Sequence, residues 1–104
     1  MIERYAYVWE FQVNPDFELN FVEYYNSEGV WAKLFRQHPG YIETLLLKDH
    51  QVPFRYLTID RWQSEESFHA FKTMFSVQYE DIDQRCEGFT LNENSLGSYL
   101  EIQR

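Results

Sequence analysis

The sequence predicts an α+β domain, because four stretches with strand periodicity and two with helical periodicity follow one another along the chain. In the strand stretches apolar side chains alternate between two faces, and in the helical stretches they recur every three or four residues. The order is strand, helix, strand, strand, helix, strand, and helices of this length pack together on one face of a sheet. We therefore predict a ferredoxin-like βαββαβ fold with a four-stranded antiparallel sheet.

Residues 5–13 form the first predicted strand, with five apolar side chains on one face: Tyr5, Tyr7, Trp9, Phe11 and Val13. The segment Asn14-Pro15-Asp16 then supplies a capping residue, a proline suited to the first helical position and an early acid. Aromatic residues at helical spacing follow. Residues 26–29 interrupt this helix, and a short second piece ends at His38-Pro39-Gly40.

The second half of the chain begins with a hairpin made of a strand at residues 41–49, a turn at 50–53 and a strand from residue 54. Ser64 is the predicted N-cap of one long helix, which runs to Cys86 and ends near Gly88. The polar segment 90–95 is predicted to be a loop. Residues 96–102 form the last predicted strand, and Gly97 permits a bulge or a close approach there.

The overall charge narrows the classes of partner. The chain carries 17 acidic and 9 basic residues, a formal charge of −8. Such a field repels phosphate backbones and anionic lipid, so we expect neither a nucleic acid nor a membrane surface as partner.

The lone Cys86 falls on an apolar stripe and is expected to be a buried, inert thiol. With no signal-peptide pattern and no membrane-spanning stretch, we expect a cytoplasmic protein of one domain, residues 1–104.

Aromatic residues make up 19% of the chain, and so much ring surface in a small protein indicates an interface or a pocket. Two helices cover only one face of the predicted sheet. The other face would expose Trp9, Phe11, Tyr56 and Trp62, or their neighbours of opposite parity, and a patch of this kind requires a partner. We predict a homodimer in which the two sheet faces pack on each other.

Several segments, taken in their order along the chain, resemble the antibiotic biosynthesis monooxygenase superfamily. They are His38-Pro39-Gly40-Tyr41, the hairpin through Pro53, and the run from Tyr56 to Ser64 that leads into Phe68 and Phe71. The resemblance covers about residues 5–102, and two further segments, near residues 25–35 and 79–90, resemble a bacterial subgroup of mostly unassigned function. It implies a dimeric α+β barrel with a ligand cavity in each subunit between sheet and helices.

Proteins of this superfamily differ in activity. Some oxygenate phenolic polyketides or quinols without metal or flavin, some degrade haem, and some isomerise small metabolites. The haem-degrading members use a tryptophan and an iron-ligating histidine, and by spacing those positions correspond to Phe71 and Asp81 here. The iron-ligating histidine is therefore missing from this sequence. The three histidines that are present are scattered along the chain, and no two have a spacing suited to chelating a metal. We therefore expect no cofactor and no metal.

Cofactor-free oxygenation requires an apolar cavity, a base for a phenol or enol, and exclusion of water. Asp60 is a candidate base because it lies in an apolar strand, where a carboxylate without a partner is costly. The commoner arrangement is a structural ion pair with an arginine such as Arg55 or Arg61 of the partner subunit. His69 is a second candidate for proton transfer, although it lies off the apolar stripe and Glu65 at i−4 offers it a partner.

Tyr79 is the third candidate catalytic residue, and five rings are candidate substrate-binding residues: Trp9, Tyr25, Trp31, Phe71 and Tyr79. Such rings combine an apolar body with a polar tip, and the alternative for each is a place in the core. The sequence thus favours a cofactor-independent monooxygenase acting on a small planar phenolic or quinol-like molecule. A ligand-binding or interaction dimer without chemistry, and an isomerase acting on a small metabolite, are the alternatives.

Overall fold

The computed structural model describes residues 2–103 and contains a four-stranded antiparallel sheet with helices on one face. The elements are β1 (Ile2–Val13), α1 (Glu18–Tyr25), α2 (Val30–Phe35), β2 (Tyr41–Lys48), β3 (Arg55–Trp62), α3 (Glu65–Met74), α4 (Ser76–Cys86) and β4 (Thr90–Gln103). The strand order in the sheet is β2-β3-β1-β4, and all three pairings are antiparallel. The predicted α+β, ferredoxin-like fold is confirmed.

The break between α1 and α2 is confirmed, and its cause is local. The Asn26 side chain donates a hydrogen bond to the Val22 carbonyl at 2.7 Å, which closes α1. Gly29 then precedes α2, and a Cβ atom at this position would lie 2.6 Å from the Glu23 carbonyl oxygen. Only glycine permits this approach of two backbone segments, so α2 can restart at a new angle.

The prediction of one continuous helix from Ser64 to Cys86 is wrong, because the chain bends at Phe75 into α3 and α4. Phe75 has φ −114° and ψ 29°, outside the helical region. Its amide still donates to the Phe71 carbonyl, and the Tyr79 amide donates to the Phe75 carbonyl, both at 2.9 Å. A straight helix cannot follow a twisted sheet over this length, and the bend lets both halves bury a face.

The loop predicted for residues 90–95 is also wrong, because β4 begins at Thr90 and pairs with β1. Its polar side chains are exposed, as an edge strand allows, so the hydrophobic pattern that marks a buried strand is missing. The bulge predicted at Gly97 is confirmed. The register shifts opposite Val8 and Trp9, and Gly97 has φ +111°, a left-handed conformation that favours glycine.

Of the two sheet faces that the sequence left open, the structure shows which one the helices cover. Trp9, Phe11, Tyr56 and Trp62 face the helices, and Trp62 is fully buried. Phe11 and Tyr56 pack on Phe21 of α1, with 5.2 Å between the Phe11 and Phe21 centroids, and Trp62 packs on Phe35 of α2. The opposite-parity neighbours therefore form the uncovered face, whose apolar residues include Ala6, Val8, Leu45, Leu47, Leu57, Ile59 and Tyr99.

Candidate active site

A cavity of about 250 Å³ opens between the inner face of the sheet and helices α1, α2 and α4. All four strands and these three helices contribute side chains to its wall. Seven of the lining residues are aromatic, two are threonines and three are acidic: Tyr7, Trp9, Phe11, Tyr25, Trp31, Phe35, Tyr79, Thr44, Thr58, Asp60, Asp83 and Glu93. Such a mostly apolar wall with a few polar groups is typical of a small-molecule site.

The buried carboxyl group of the cavity belongs to Asp60, which is only 7% exposed. In the sheet it lies between Thr44 on β2 and Tyr7 on β1. The Thr44 hydroxyl donates to the Asp60 carboxylate at 2.5 Å and accepts a hydrogen bond from the Tyr41 hydroxyl at 2.7 Å. The Asp60 carboxylate thus lies at the inner end of a hydrogen-bonded chain that runs through the hydroxyl groups of Thr44 and Tyr41.

Burial raises the pKa of Asp60 to about 6, and hydrogen bonds from Thr44 and Tyr7 only partly offset this effect. Desolvation disfavours the charged form, whereas donors stabilise it. Burial and the nearby Asp60 carboxylate also raise the pKa of Tyr7 well above its usual value. A carboxyl group with a pKa near 6 can accept a proton at neutral pH and retain it long enough to return it.

Asp60 forms no ion pair with Arg55 or Arg61 of its own chain, because the two arginines lie on the opposite face of the sheet. The predicted pair with an arginine of the partner subunit stays a prediction. Arg55 pairs there with Glu10 and Asp49, and a second cluster joins Arg61 to Glu43 and Glu101. Odd-numbered residues of β3 point outward and even-numbered ones inward, so neither arginine can reach Asp60 within its own chain. Within residues 2–103 the hydrogen-bond donors to this carboxyl group are the neutral hydroxyl groups of Thr44 and Tyr7.

Four of the five rings predicted to bind substrate line the cavity: Trp9, Tyr25, Trp31 and Tyr79. The Trp31 and Tyr79 rings meet nearly edge to face, with 4.9 Å between centroids. Phe71 does not reach the cavity, because it is fully buried behind the wall and packs on Phe35. Its role in the structure is to support rings that do line the site.

Tyr79, on α4, is half-buried, and its pKa is raised to about 12. Burial is the largest cause, followed by the negative charges of Asp83, Asp60 and Glu93. The hydroxyl therefore stays protonated at neutral pH and can donate a hydrogen bond into the cavity.

His69 lies outside the cavity, on the exposed side of α3. Its Nε2 atom is 3.2 Å from the Glu65 carboxylate, and its side chain is 63% exposed. The structure therefore does not bring His69 together with Asp60 and Tyr79.

Several residues that line the cavity were not predicted from the sequence. They differ in how clearly a sequence pattern could have placed them in the cavity wall. Tyr7, Thr44 and Thr58 share the inner face with Asp60, so alternation along the strands could have found them. Asp83 follows Tyr79 at i+4 and lies on the same helix face. Glu93 has no local signal, because it reaches the cavity only through the pairing of β4 with β1.

Within residues 2–103, no group of three or more histidine, cysteine or acidic side chains is arranged to hold a metal ion. In the same part of the chain no helix has the length and apolar character needed to cross a membrane.

A ferredoxin-like α+β domain with an aromatic cavity between sheet and helices has the geometry that is typical of a small-molecule site. The sequence model of the antibiotic biosynthesis monooxygenase family matches residues 4–74. The chain therefore belongs to the antibiotic biosynthesis monooxygenase family, as the sequence resemblance predicted. No curated protein matches the chain.

Solved structures with the same fold cover nearly the whole chain. SnoaB, a cofactor-independent oxygenase from Streptomyces nogalater, is similar at 19% identity and a TM-score of 0.62, covering 98% of this chain and 94% of its own. A protein from Pseudomonas aeruginosa matches at 10% identity and a TM-score of 0.71, covering 99% of this chain and 98% of its own. One from Shewanella oneidensis matches at 13% identity and a TM-score of 0.70, with 97% and 93% covered. At these identities the likeness establishes the fold.

Proposed function

We propose that this protein is a cofactor-independent monooxygenase acting on a small planar phenol or quinol. The observation that carries the proposal is the Asp60 carboxyl group, buried in an aromatic-lined cavity without a cationic partner within residues 2–103. Family membership supports oxygenase chemistry in general. SnoaB, which has the same fold, is described as a cofactor-independent oxygenase.

The chemistry requires only the substrate, O2 and a base. Asp60 accepts the phenolic proton, and the phenolate then transfers one electron to O2, giving a phenoxyl radical and superoxide. Their recombination forms a C–O bond and a hydroperoxide at a ring carbon that bears hydrogen. Loss of that hydrogen as a proton and cleavage of the O–O bond release water and leave a quinone. One phenol and one O2 thus give one quinone and one water, and the substrate supplies all the electrons.

The rings would position the substrate and exclude water. Trp9, Tyr25 and Trp31 provide flat apolar walls, against which a planar molecule can stack. Tyr79 would donate a hydrogen bond to the oxygen anion as charge develops there, because its raised pKa keeps the hydroxyl protonated. His69 has no part in this scheme, since its side chain is in solvent.

A homodimer formed through the uncovered sheet face is part of the proposal. Leu45 and Leu47, on the edge strand β2, are 39% and 45% exposed on that face. The ion clusters of Arg55 and Arg61 lie at its two ends and are already paired within the chain. Apolar surface between neutralised ends suits a twofold contact with a second copy.

Oxygen consumption tests the proposed activity. Purified protein with a panel of one-, two- and three-ring quinols, in buffer containing a chelator, should consume O2 in proportion to enzyme. We expect Asp60→Asn, Tyr79→Phe and Trp31→Ala each to lower kcat/KM at least about tenfold, the usual scale for losing a proton-transfer or positioning group. Asp81→Asn, on the exposed side of α4, is the matched control and should leave the rate unchanged.

The pH profile gives an independent check. Because Asp60 must be deprotonated to accept the proton, kcat/KM should rise with pH through a midpoint near 6. A rate that is flat between about pH 5 and 8, or one that is equal in Asp60→Asn, contradicts the assignment of the base.

An isomerase is the second candidate, and the same observation favours it. A carboxyl group with a pKa near 6 also suits proton transfer between carbon atoms without oxygen. Product formation under argon, lost in Asp60→Asn, would identify this activity in place of oxygenation.

A further inference from the structure

The charge in the cavity has only one sign. Asp60 provides a carboxyl group on the buried side of the cavity, and the exposed side chains of Asp83 and Glu93 lie at its opening. Among the lining residues, all within 2–103, there is no lysine, arginine or histidine. Three carboxyl groups therefore surround a small space with no opposite charge in the wall.

This field already acts on the phenols of the protein itself. Burial is the largest cause of the raised pKa of Tyr79, and the carboxylates of Asp83, Asp60 and Glu93 raise it further. The raised pKa of Tyr25 is likewise due first to burial and then to Cys86, with a smaller contribution from the Glu93 carboxylate. A phenol bound in the same space would experience the same field. Its ionisation, which oxygenation requires, is then opposed unless the substrate brings a positive charge of its own.

The aromatic walls suit a cation as well as they suit a planar ring. Each aromatic side chain carries a negative electrostatic potential on the face of its ring. Several tyrosine, tryptophan and phenylalanine side chains that surround a space with their faces can therefore bind an alkylammonium group. Lys72 provides an example within the chain, since its Nζ atom lies 4.9 Å from the Tyr79 ring centroid. Lys72 itself is exposed and does not line the cavity, so it leaves the three carboxyl groups without a counter-charge inside.

The volume limits the size of the ligand. An apolar cavity of about 150 Å³ holds one benzene molecule. The space here, about 250 Å³, is enough for one substituted ring or a fused pair.

We propose that the ligand of this cavity is an organic cation: a phenol of one or two rings that carries a protonated or quaternary amino group. The phenol follows from the proposed function, whereas the positive charge follows from the wall of the cavity alone. The ammonium group would lie near the opening, between Asp83 and Glu93 and against the ring of Tyr79, while the phenol reaches Asp60.

Binding of three matched probes tests this preference without turnover. The probes are tyramine, whose ammonium group is cationic, the neutral para-propylphenol and the anionic para-hydroxyphenylpropanoate. All three share a phenol with two methylene groups in the para chain, which ends in an ammonium group, a methyl group or a carboxylate. By calorimetry at low salt we expect tyramine to bind at least about tenfold more tightly than the neutral probe, and the anion to bind more weakly than both. Added salt should weaken only the tyramine complex.

Charge variants locate the effect. Asp83→Asn and Glu93→Gln should each reduce the ratio of tyramine to para-propylphenol affinity about threefold or more, since each removes a rim charge. Asp81→Asn makes the same chemical change on the same helix, but its carboxylate pairs with Arg85 outside the cavity. It should leave the ratio unchanged. Circular dichroism of each variant shows whether it is folded.

The outcomes separate this inference from the proposed activity. Equal affinity for the three probes, or tighter binding of the anion, would overturn the cation preference even if quinols consume O2. A tyramine preference that depends on Asp83 and Glu93 supports the inference even if no substrate in the panel consumes O2. If the preference is the same in all variants, the rim carboxylates do not cause it and the inference is wrong.

Discussion

Asp60 is the residue at which stability and the proposed chemistry conflict. Its carboxyl group is 7% exposed and accepts a hydrogen bond from Thr44, and the strand arginines within residues 2–103 lie on the other face of the sheet. Burial raises its pKa from 3.8 to about 6. The folded state therefore holds this proton more tightly than the unfolded chain, and ionisation of Asp60 destabilises the fold.

The sign of this effect can be measured. Because the folded pKa lies above the unfolded value, the contribution of Asp60 to stability is complete below about pH 4 and is lost as the pH rises through about 6. We expect the wild type to lose about 3 kcal/mol relative to Asp60→Asn across this range, the energy of a shift of about two pKa units. Urea unfolding of both proteins at several pH values measures the difference.

Asp81→Asn serves as the control, because its exposed carboxylate should give a stability difference that is almost independent of pH. A difference between wild type and Asp60→Asn that does not change with pH would show that Asp60 is not protonated more readily in the folded state.

At the scale of the elements, one close approach connects the loop before β2 with the beginning of α3. The Gly40 carbonyl accepts a hydrogen bond from the Gln63 amide at 2.7 Å. Ser64 caps α3 by accepting a hydrogen bond from the Ser67 amide at 3.1 Å. A Cβ atom on Gly40 would overlap the Ser67 side chain. The absence of a side chain at Gly40 thus sets how closely α3 approaches the sheet.

Gly40→Ala should therefore destabilise the protein by about 1–3 kcal/mol, the usual cost of an extra methyl group in a packed contact. Gly88→Ala is the matched control, since a Cβ atom there meets no other atom within 4 Å. We expect the control to change stability by less than about 0.5 kcal/mol. Equal urea midpoints for the two variants would contradict the close packing at Gly40.

At the scale of the whole molecule, the sheet has one face covered by helices and one that is not. The uncovered face carries Leu45 and Leu47, both partly exposed, between two clusters of paired charges. Tyr99 on the edge strand β4, which pairs with Ala6 on β1, lies on the same face and is 54% exposed. This distribution supports the proposed homodimer, in which a second copy would cover apolar surface that the helices do not reach.

Leu45→Glu should convert the dimer to a monomer at micromolar concentration. In a twofold interface one substitution introduces two buried charges, so we expect the dissociation constant to rise at least about 100-fold. Val77→Glu is the control, because Val77 is 76% exposed on α4, on the helical side of the sheet. Analytical ultracentrifugation measures both, and a wild type that sediments as a monomer at micromolar concentration contradicts the proposed dimer.

The sequence predicted much of the site because alternation is a local property of an extended backbone. Asp60 and its neighbours Tyr56, Thr58 and Trp62 necessarily share one face of β3, and Arg55 and Arg61 necessarily share the other. The residues of α4 at helical spacing are likewise fixed relative to each other. Which of two faces is buried is not a local property, and the sequence left that choice open for Trp9 and Trp62.

The sequence by itself determined the order of the elements, the family and the sets of side chains that lie together on each strand and helix. Only the tertiary structure decided that Thr44, Asp60 and Tyr7 form one row across three strands, that Arg55 and Arg61 are kept away from Asp60, and that Glu93 reaches the cavity. The reason is physical. Periodicity follows from the geometry of a few neighbouring residues, whereas strand register and the choice of covered face depend on packing between segments that are distant in the chain.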